Sequence, residues 1–210
     1  YQQLRRYLGR GRRGLPKEPL ADELTYARYG LWHYVSESKQ RRKPYASLQR
    51  AGANLCGLMR VLLFKRFESS VYAFRETIRR LERMHGVFLQ ALDRGIVPAG
   101  EDAQQILYAS DHLGERQLLD ALGEASGQYD IRDFDVDRLR SHVEHDMHLL
   151  RRIDELVAPI TPDMDDKLQT LKRRLGEAPL AGAKVLIFTQ FADTARYLFK
   201  NLNPDETRPE

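Results

Sequence analysis

Apolar residues recur every three to four positions over most of residues 45–94, which is the spacing of one face of an α-helix. Gly95 and Pro98 follow this stripe, and a glycine just past the last periodic residue is typical of a helix C-terminus. Because the span is longer than an ordinary globular helix, the pattern predicts a long helix or a helix pair with a break near Ser69 and Ser70. The stripe consists of Tyr45, Leu48, Leu55, Leu58, Met59, Leu62, Leu63, Phe67, Val71, Phe74, Ile78, Leu81, Val87, Phe88 and Leu92.

Similar spacing predicts further helices on both sides of this span. Leu20, Leu24, Ala27, Leu31 and Val35 share one helical face and predict a helix there. Later in the chain, helices are predicted over 136–157, ended by Pro159, and over 162–175, ended by Gly176, with shorter ones near 104–108 and 115–122.

The pattern changes at residues 184–189, which read Lys-Val-Leu-Ile-Phe-Thr and precede an amphipathic stretch over 192–202. A continuous apolar run before a helix is typical of a buried parallel strand. A single βα unit leaves its strand edges unpaired, so the rest of the sheet is expected beyond Glu210. The predicted fold is therefore mainly α, with one terminal βα unit. Its predicted divisions are a basic tail or linker over 1–19, a helical region over 20–176 and an incomplete lobe over 177–210.

The charge of the chain is divided unevenly along its length. Residues 1–95 carry 20 basic and 8 acidic residues, whereas residues 96–210 carry 14 and 22. Of the 34 basic residues 26 are arginines, whose planar guanidinium suits phosphate or carboxylate. The first half is therefore predicted to bind a polyanion.

Two groups of basic residues are the candidate contacts for nucleic acid. Arg10, Arg12 and Arg13 lie in the Gly-rich tail, where charge alone could attract phosphates; a solvated linker is the alternative. On the long helix, Arg75, Arg79 and Arg83 are four positions apart and share a face, with Lys65 and Arg66 upstream. This face is either a basic ridge beside nucleic acid or a solvated surface with intrahelical ion pairs.

Other classes of protein and site are disfavoured. No apolar run approaches the roughly 20 residues of a membrane span. Cys56 is the single cysteine, which permits no internal disulfide and suits a reducing, intracellular compartment. His142, His145 and His148 lack the spacing of a zinc motif, and the acidic run from Asp133 to Glu144 lacks the glycine of a calcium loop. No metal site is therefore expected.

Three stretches together resemble one family of motor proteins. Residues 184–198 read KVLIFTQFADTARYL, a helix with Asp166-Lys167-Leu168 precedes them, and residues 58–74 read LMRVLLFKRFESSVYAF. The chain thus resembles Swi/Snf-type ATPases of helicase superfamily two, specifically the bacterial inter-lobe helical region and the entry to the second RecA-like lobe. The resemblance implies a longer, cytoplasmic bacterial parent that uses ATP and magnesium and moves along nucleic acid, with DNA as the expected type. It also implies that Thr189 and Gln190 approach the nucleic-acid backbone or the lobe interface.

The family's catalytic motifs are not found in this sequence. No Gly-Lys pair is present for a Walker loop, and the Asp-Glu pairs, Asp22-Glu23 and Asp154-Glu155, lie in predicted helices. The string Gly9 to Arg13 copies only the end of the arginine-finger motif and lies at the wrong end of the chain. We therefore expect no catalytic residue and no bound cofactor here, with DNA and the remaining lobes of the parent as partners.

Two other functions remain open from the sequence. The amphipathic helices and acidic second half could form a non-enzymatic module that binds a protein. A metalloprotein that uses the histidine cluster is a third and weaker alternative, because the histidine spacing is not that of a zinc motif. Binding to nucleic acid that weakens steeply with salt would favour the motor, whereas salt-insensitive protein binding would favour the module.

Overall fold

The computed structural model of the chain describes residues 2–9, 18–109 and 115–203. These residues confirm the mainly α prediction, since they contain nine α-helices, four single-turn 3-10 helices and no strand. The α-helices are α1 (Gln2–Tyr7), α2 (Glu37–Gln40), α3 (Ala46–Ser69), α4 (Val71–Asp93), α5 (Glu101–Ala109), α6 (Glu115–Ser126), α7 (Val136–Val157), α8 (Asp166–Gly176) and α9 (Ala192–Leu202). The 3-10 helices are Ala27–Tyr29, Leu31–Tyr34, Ile131–Asp133 and Pro162–Met164.

Helix α4 is the centre of the fold and packs against α7, α3, α6 and α9. Its apolar stripe contributes to two clusters of buried side chains. Phe88 and Leu92 join the cluster that contains α5 and α6 residues, whereas Phe74 and Ile78 join the cluster beneath α3. Helix α7 also contributes to both clusters. The long periodic pattern of α4 thus connects the two parts of the core.

The predicted break in the long helical span is confirmed at Ser70. This residue is extended (φ −158°, ψ 147°) between α3 and α4, and its Oγ accepts a hydrogen bond from the amide of Ala73 at 3.0 Å. Serine at this position therefore ends one helix and caps the next. Gly95 ends α4 as predicted, because its φ of +77° lies in the left-handed region that glycine adopts at little cost.

The segment before α2 differs from its predicted helix. Asp146 of α7 is buried, and its carboxylate accepts hydrogen bonds from the Thr25 amide at 2.6 Å, the Thr25 hydroxyl at 2.9 Å and the Ala27 amide at 3.1 Å. Tyr26 between them is left-handed, with a φ of 57°. Residues 20–35 therefore form the 3-10 helices Ala27–Tyr29 and Leu31–Tyr34 in place of the predicted α-helix. The amides of Thr25 and Ala27 bind the Asp146 carboxylate, and this geometry differs from that of an α-helix.

The described part of the predicted basic tail also differs from a free linker. Leu4, Tyr7 and Leu8 are buried in the cluster beneath α3, and the Leu24 amide donates to the Tyr7 carbonyl at 2.8 Å. Burial of Leu4 and Tyr7 of α1, and of Leu8 just after it, stabilises this docking, while Arg5 and Arg6 stay exposed and keep their hydration. The candidate residues Arg10, Arg12 and Arg13 lie outside the described residues.

The predicted strand over 184–189 is not found in the described chain, where these residues form no ladder. A strand exists only through hydrogen bonds to a neighbour, and no other described segment pairs with this one. Leu186 and Phe188 are 83% and 89% exposed, whereas Val185 and Ile187 are about half as exposed at 39% and 42%. The alternation of a strand is therefore present without the sheet.

This exposed apolar segment should promote self-association of the chain. Replacing Leu186 and Phe188 with lysine should reduce light scattering at high protein concentration and the binding of a hydrophobic dye, because lysine on an unpaired strand disfavours edge pairing. The helical circular dichroism signal should not change, since both side chains are exposed. The matched control is the same double substitution at Gln117 and Gln128, which are also uncharged and exposed. Equal scattering by both variants would contradict the role of the segment.

Candidate functional site

Residues of the 58–74 and 184–198 stretches meet in space at the α3–α4 break. Six residues form this contact, called here the junction site: Arg66, Ser69, Ser70, Phe191, Asp193 and Thr194. The first three lie at the end of α3 and at the break, and the last three lie at the start of α9. The site therefore joins two segments that are more than 120 residues apart in the sequence.

An ion pair and a ring contact hold the two segments together on one side. The Arg66 guanidinium donates to Asp193 Oδ2 at 2.5 Å and lies 4.5 Å from the centroid of the Phe191 ring. The side chains of Arg66 and Asp193 are 22% and 15% exposed, so solvent screens this pair less than an exposed one. Arg196 also reaches the Asp193 carboxylate, at 3.3 Å, but its side chain is 73% exposed.

Three hydroxyl groups form the other side of the junction. Thr194 is buried, and its Oγ1 lies 2.9 Å from Ser69 Oγ and 3.2 Å from Ser70 Oγ. Since Ser70 Oγ also accepts from the Ala73 amide, the cap of α4 and the first turn of α9 share one hydrogen-bond network. The start of α9 is therefore fixed to the point at which α3 ends.

Helix α8 completes this region. Lys167 Nζ donates to the carbonyls of Glu68 at 2.7 Å and Ser69 at 3.1 Å. The last carbonyls of a helix have no partner within the helix and form the negative end of its dipole, so the lysine cation stabilises the C-terminus of α3. Asp165 caps α8 and accepts from the Tyr197 hydroxyl at 3.0 Å. Burial, and then the Asp165 carboxylate, raise the pKa of Tyr197 above its usual value. The Tyr197 ring stacks on Tyr72 of α4 with 5.2 Å between centroids.

A cavity of about 400 Å³ lies between α8, α9 and residues 187–189. Ser70, Thr189 and Thr194 line it together with apolar side chains, and the latter are Leu168, Leu171, Ile187, Phe188 and Leu198. The accessible wall is mainly apolar, although the charged side chains of Asp165, Lys167 and Arg174 also line the cavity. The cavity suits an apolar side chain or a packing element more than a charged ligand.

The candidate nucleic-acid residues of the sequence separate in the structure. Arg66 and Thr189 lie at the junction or its cavity, and Gln190 lies beside Thr189 with its side chain exposed. Lys65 is exposed on α3. Sequence reasoning missed Asp193, Thr194 and Tyr197, although the acidic first turn of α9 was a signal for the first of them.

The predicted arginine ridge of α4 is largely engaged with α7. Arg75 and Arg79 contact the same Asp154 carboxylate, with nitrogen–oxygen distances of 2.9 and 3.3 Å. Arg79 also lies 3.4 Å from Glu76. Arg83 is exposed at the same helix face. The spacing of these arginines thus serves helix packing at two of the three positions, which leaves a nucleic-acid role for the ridge as a prediction.

The histidine and acidic clusters do not converge. His142 is buried with its Nδ1 2.7 Å from the Tyr34 hydroxyl, and His145 Nε2 lies 3.1 Å from the Glu23 carbonyl. Asp133 binds Lys39 and Tyr45, while Asp135 caps α7. Among the residues that the structure describes, no group of three or more potential ligands could hold a metal ion.

Cys56 is half-buried in α3, and burial followed by the charge of Asp146 raises its pKa to about 11. At pH 8 the native thiol should react with iodoacetamide about 100-fold more slowly than an unshifted thiol, because only the thiolate is nucleophilic. The rate in denaturant is the reference, and no other cysteine contributes to it. Equal rates in the native and denatured protein would contradict this prediction.

No protein-family model, curated protein or solved structure matches the chain. Among the described helices, none is both long and apolar enough to cross a lipid bilayer.

Proposed function

We propose that the chain is a segment of an ATP-dependent DNA helicase or translocase of the Swi/Snf type. In this proposal residues 20–176 are the helical region between the two motor lobes, and residues 177–210 begin the second lobe. The parent protein would supply the ATP and magnesium site, and this segment would contribute DNA contact and inter-lobe coupling. One observation supports the proposal most: the 58–74 and 184–198 stretches, on which the resemblance rests, contact each other through Arg66–Asp193 and Ser69–Thr194 at the junction site.

The junction site suits mechanical coupling between a lobe and the helical region. Arg66, Ser69 and Ser70 fix the start of α9 at the break between the two longest helices. A displacement of residues 184–202 would therefore act on the ends of α3 and α4 at once, because charged and hydroxyl contacts resist sliding. Movement of the second lobe on ATP binding would reach the helical region by this route.

The apolar segment over 184–189 also fits this proposal. All four apolar side chains of this segment are exposed, Val185 and Ile187 less so than Leu186 and Phe188. A strand that is apolar on both faces is typical of the centre of a parallel sheet with helices on each side. The remaining strands of the second lobe would cover these side chains in the parent protein.

Two measurements on the purified chain test the proposal. The chain should bind duplex DNA with an affinity that falls steeply as salt increases, because phosphate contacts release counterions. It should hydrolyse no ATP with or without DNA, since the family's phosphate-binding motifs are not in this sequence. Absence of DNA binding at low salt would remove the proposed DNA contact, and appreciable ATP turnover would overturn the assignment of catalysis to other parts of the parent.

A helical protein-binding module is the second candidate function. The exposed side chains of Leu186 and Phe188, beside the apolar cavity, favour this alternative. The module would bind a protein partner with little dependence on salt, and the double lysine variant of these residues would abolish that binding. The motor proposal instead predicts DNA binding that this variant does not change.

A further inference from the structure

A basic segment that the sequence patterns did not indicate lies directly before the start of α3, whereas the junction site lies at its end. Residues 36–45, called here the basic loop, contain four basic residues and one acidic residue. Arg41, Arg42 and Lys43 are consecutive, and all three are exposed. In the described ranges of the chain, no other three consecutive basic residues are all exposed.

The basic loop differs from the predicted ridge in its ion pairs. Several arginines on the long helices bind acidic side chains of a neighbouring element, and these pairs are Arg66–Asp193, Arg75–Asp154, Arg79–Asp154, Arg140–Asp93, Arg151–Glu82 and Arg152–Asp22. Arg41, Arg42 and Lys43 form no ion pair with any described residue. Their charges therefore remain available to a ligand from solution.

The ends of the basic loop are fixed to the rest of the fold. The Ser36 amide donates to the Asp133 carbonyl at 2.8 Å, and Lys39 and Tyr45 both donate to the Asp133 carboxylate, at 3.2 and 2.5 Å. The Tyr45 hydroxyl, and then Lys39, lower the pKa of Asp133, whose charge is thus already matched within the fold. At the middle of the loop, the Trp32 indole donates to the Gln40 carbonyl at 3.3 Å.

The acidic groups near the basic loop leave its three cations uncompensated. Asp130 binds Arg132 through both carboxylate oxygens, with distances of 3.0 and 2.6 Å. Glu37 is exposed on α2 and is the single acid within the loop. The loop as a whole carries a net charge of +3. Because both ends are anchored, the cations lose less freedom on binding than they would in a free tail.

We propose that the basic loop is a nucleic-acid contact in which Arg41, Arg42 and Lys43 bind successive backbone phosphates. The choice of nucleic acid among polyanions rests on the proposed function, whereas the position of the contact rests on the exposure and pairing of these residues. Guanidinium groups bind phosphate through two parallel hydrogen bonds, and the lysine adds a point charge. The contact is to the backbone and therefore does not depend on base sequence.

The single tryptophan of the chain allows a direct test, because the Trp32 indole is hydrogen-bonded to the Gln40 carbonyl of the basic loop. The full chain is titrated with a duplex or a single strand of about 20 nucleotides, and Trp32 fluorescence and the anisotropy of a labelled strand are followed at several salt concentrations. Both signals should report binding. The three phosphate contacts of the loop should contribute about −2.7 to the slope of log affinity against log salt on duplex DNA, and about −2 on a single strand.

The decisive variant replaces Arg41, Arg42 and Lys43 with glutamine. It should weaken binding at least about 10-fold near physiological salt and reduce the magnitude of the salt slope by two to three, at about one per lost phosphate contact. The matched control is Lys172→Gln, Arg173→Gln and Arg174→Gln on α8, which removes the same charge far from Trp32 in the sequence. The control should change affinity less than about 3-fold and leave the salt slope within one of the original.

The outcomes separate this inference from the proposed function. DNA binding by the original chain that the loop variant retains would overturn the basic loop as the contact and leave the proposed DNA contact standing. Equal weakening by the loop variant and the control would also overturn it, because net charge alone would then explain binding. No binding by the original chain at low salt would overturn both. Circular dichroism confirms that each variant keeps its helical content.

Discussion

Replacing Asp146 with alanine should destabilise the fold by about 3 kcal/mol. The carboxylate of this buried residue accepts hydrogen bonds from the Thr25 amide, the Thr25 hydroxyl and the Ala27 amide. Alanine would leave these donors without their acceptor in the core, and each unsatisfied buried donor costs about 1–3 kcal/mol. The Thr25 hydroxyl oxygen, 3.1 Å from the Ala27 amide, can accept the hydrogen bond of that amide in the variant. The expected destabilisation therefore lies near the lower end of the range for the remaining two donors.

Urea unfolding followed by circular dichroism measures this change. The matched control is Glu155→Ala, an exposed acid on the same helix, which should change the free energy of unfolding by less than about 0.5 kcal/mol. A shift of similar size for both variants would show that the network between α7 and residues 25–27 contributes little.

The pH dependence of Asp146→Asn distinguishes loss of the carboxyl group from loss of packing. Burial raises the pKa of Asp146 to about 7, and hydrogen bonds from Thr25 offset part of this increase. A carboxyl group with a raised native pKa contributes stability that is fully present below its unfolded pKa and is lost as pH rises toward 7. The stability difference between the original chain and the asparagine variant should therefore shrink from about pH 4 to pH 7. His85, whose pKa burial lowers to about 3, acts equally in both proteins and cancels in this difference.

Local signals were sufficient to predict the long helices and their ends. Ser70 and Gly95 act through their own backbone conformation and through neighbours within a few residues, so their effects are visible in a short window of sequence. The apolar stripe of α4 likewise predicted a buried face, since Phe74, Ile78, Leu81, Phe88 and Leu92 are all buried. Such features need no knowledge of the rest of the fold.

Interactions between distant parts of the chain account for the differences. The helical period over 20–35 gave no indication that Asp146, 121 residues after Thr25, would bind the amides of this segment. At residues 184–189 the composition favours a strand, but a strand also needs a partner that the described chain does not provide. The arginines of α4 were predicted as a surface, and their acidic partner on α7 is 79 residues from Arg75.

The candidate site shows the same division. The 58–74 and 184–198 stretches are each visible as local sequence patterns, yet the pairing of Arg66 with Asp193 spans 127 residues and follows only from the packing of α9 on α4. The basic loop was absent from the predictions because three adjacent cations are common on surfaces. Its significance comes from the pairing of the other arginines, which only the structure provides.

Replacing Arg66 with glutamine should loosen α9 without unfolding the protein. A charge-assisted hydrogen bond is worth about 1.5–3 kcal/mol, and the low exposure of both side chains places this pair above an exposed one. We expect the amide hydrogen exchange of α9 and of residues 66–70 to accelerate about 10- to 30-fold, because α9 opens locally at the free-energy cost of its docking contacts. Exchange in α7 should not change, since its contacts with α4 remain.

Asp193 supplies an internal control for this prediction, because two arginines contact its carboxylate. Arg196→Gln removes the exposed partner and should accelerate α9 exchange less than about 3-fold, as measured for exposed pairs. A double-mutant cycle with Asp193→Asn should give a coupling energy of about 1.5 kcal/mol for Arg66 and below about 0.5 kcal/mol for Arg196. Equal coupling energies would mean that the Arg66 contact with Asp193 and Phe191 does not hold α9 at the junction site. A larger coupling energy for Arg66, together with faster exchange in α9 and in residues 66–70, would instead support the proposal that movement of the second lobe is transmitted to the α3–α4 break through the junction site.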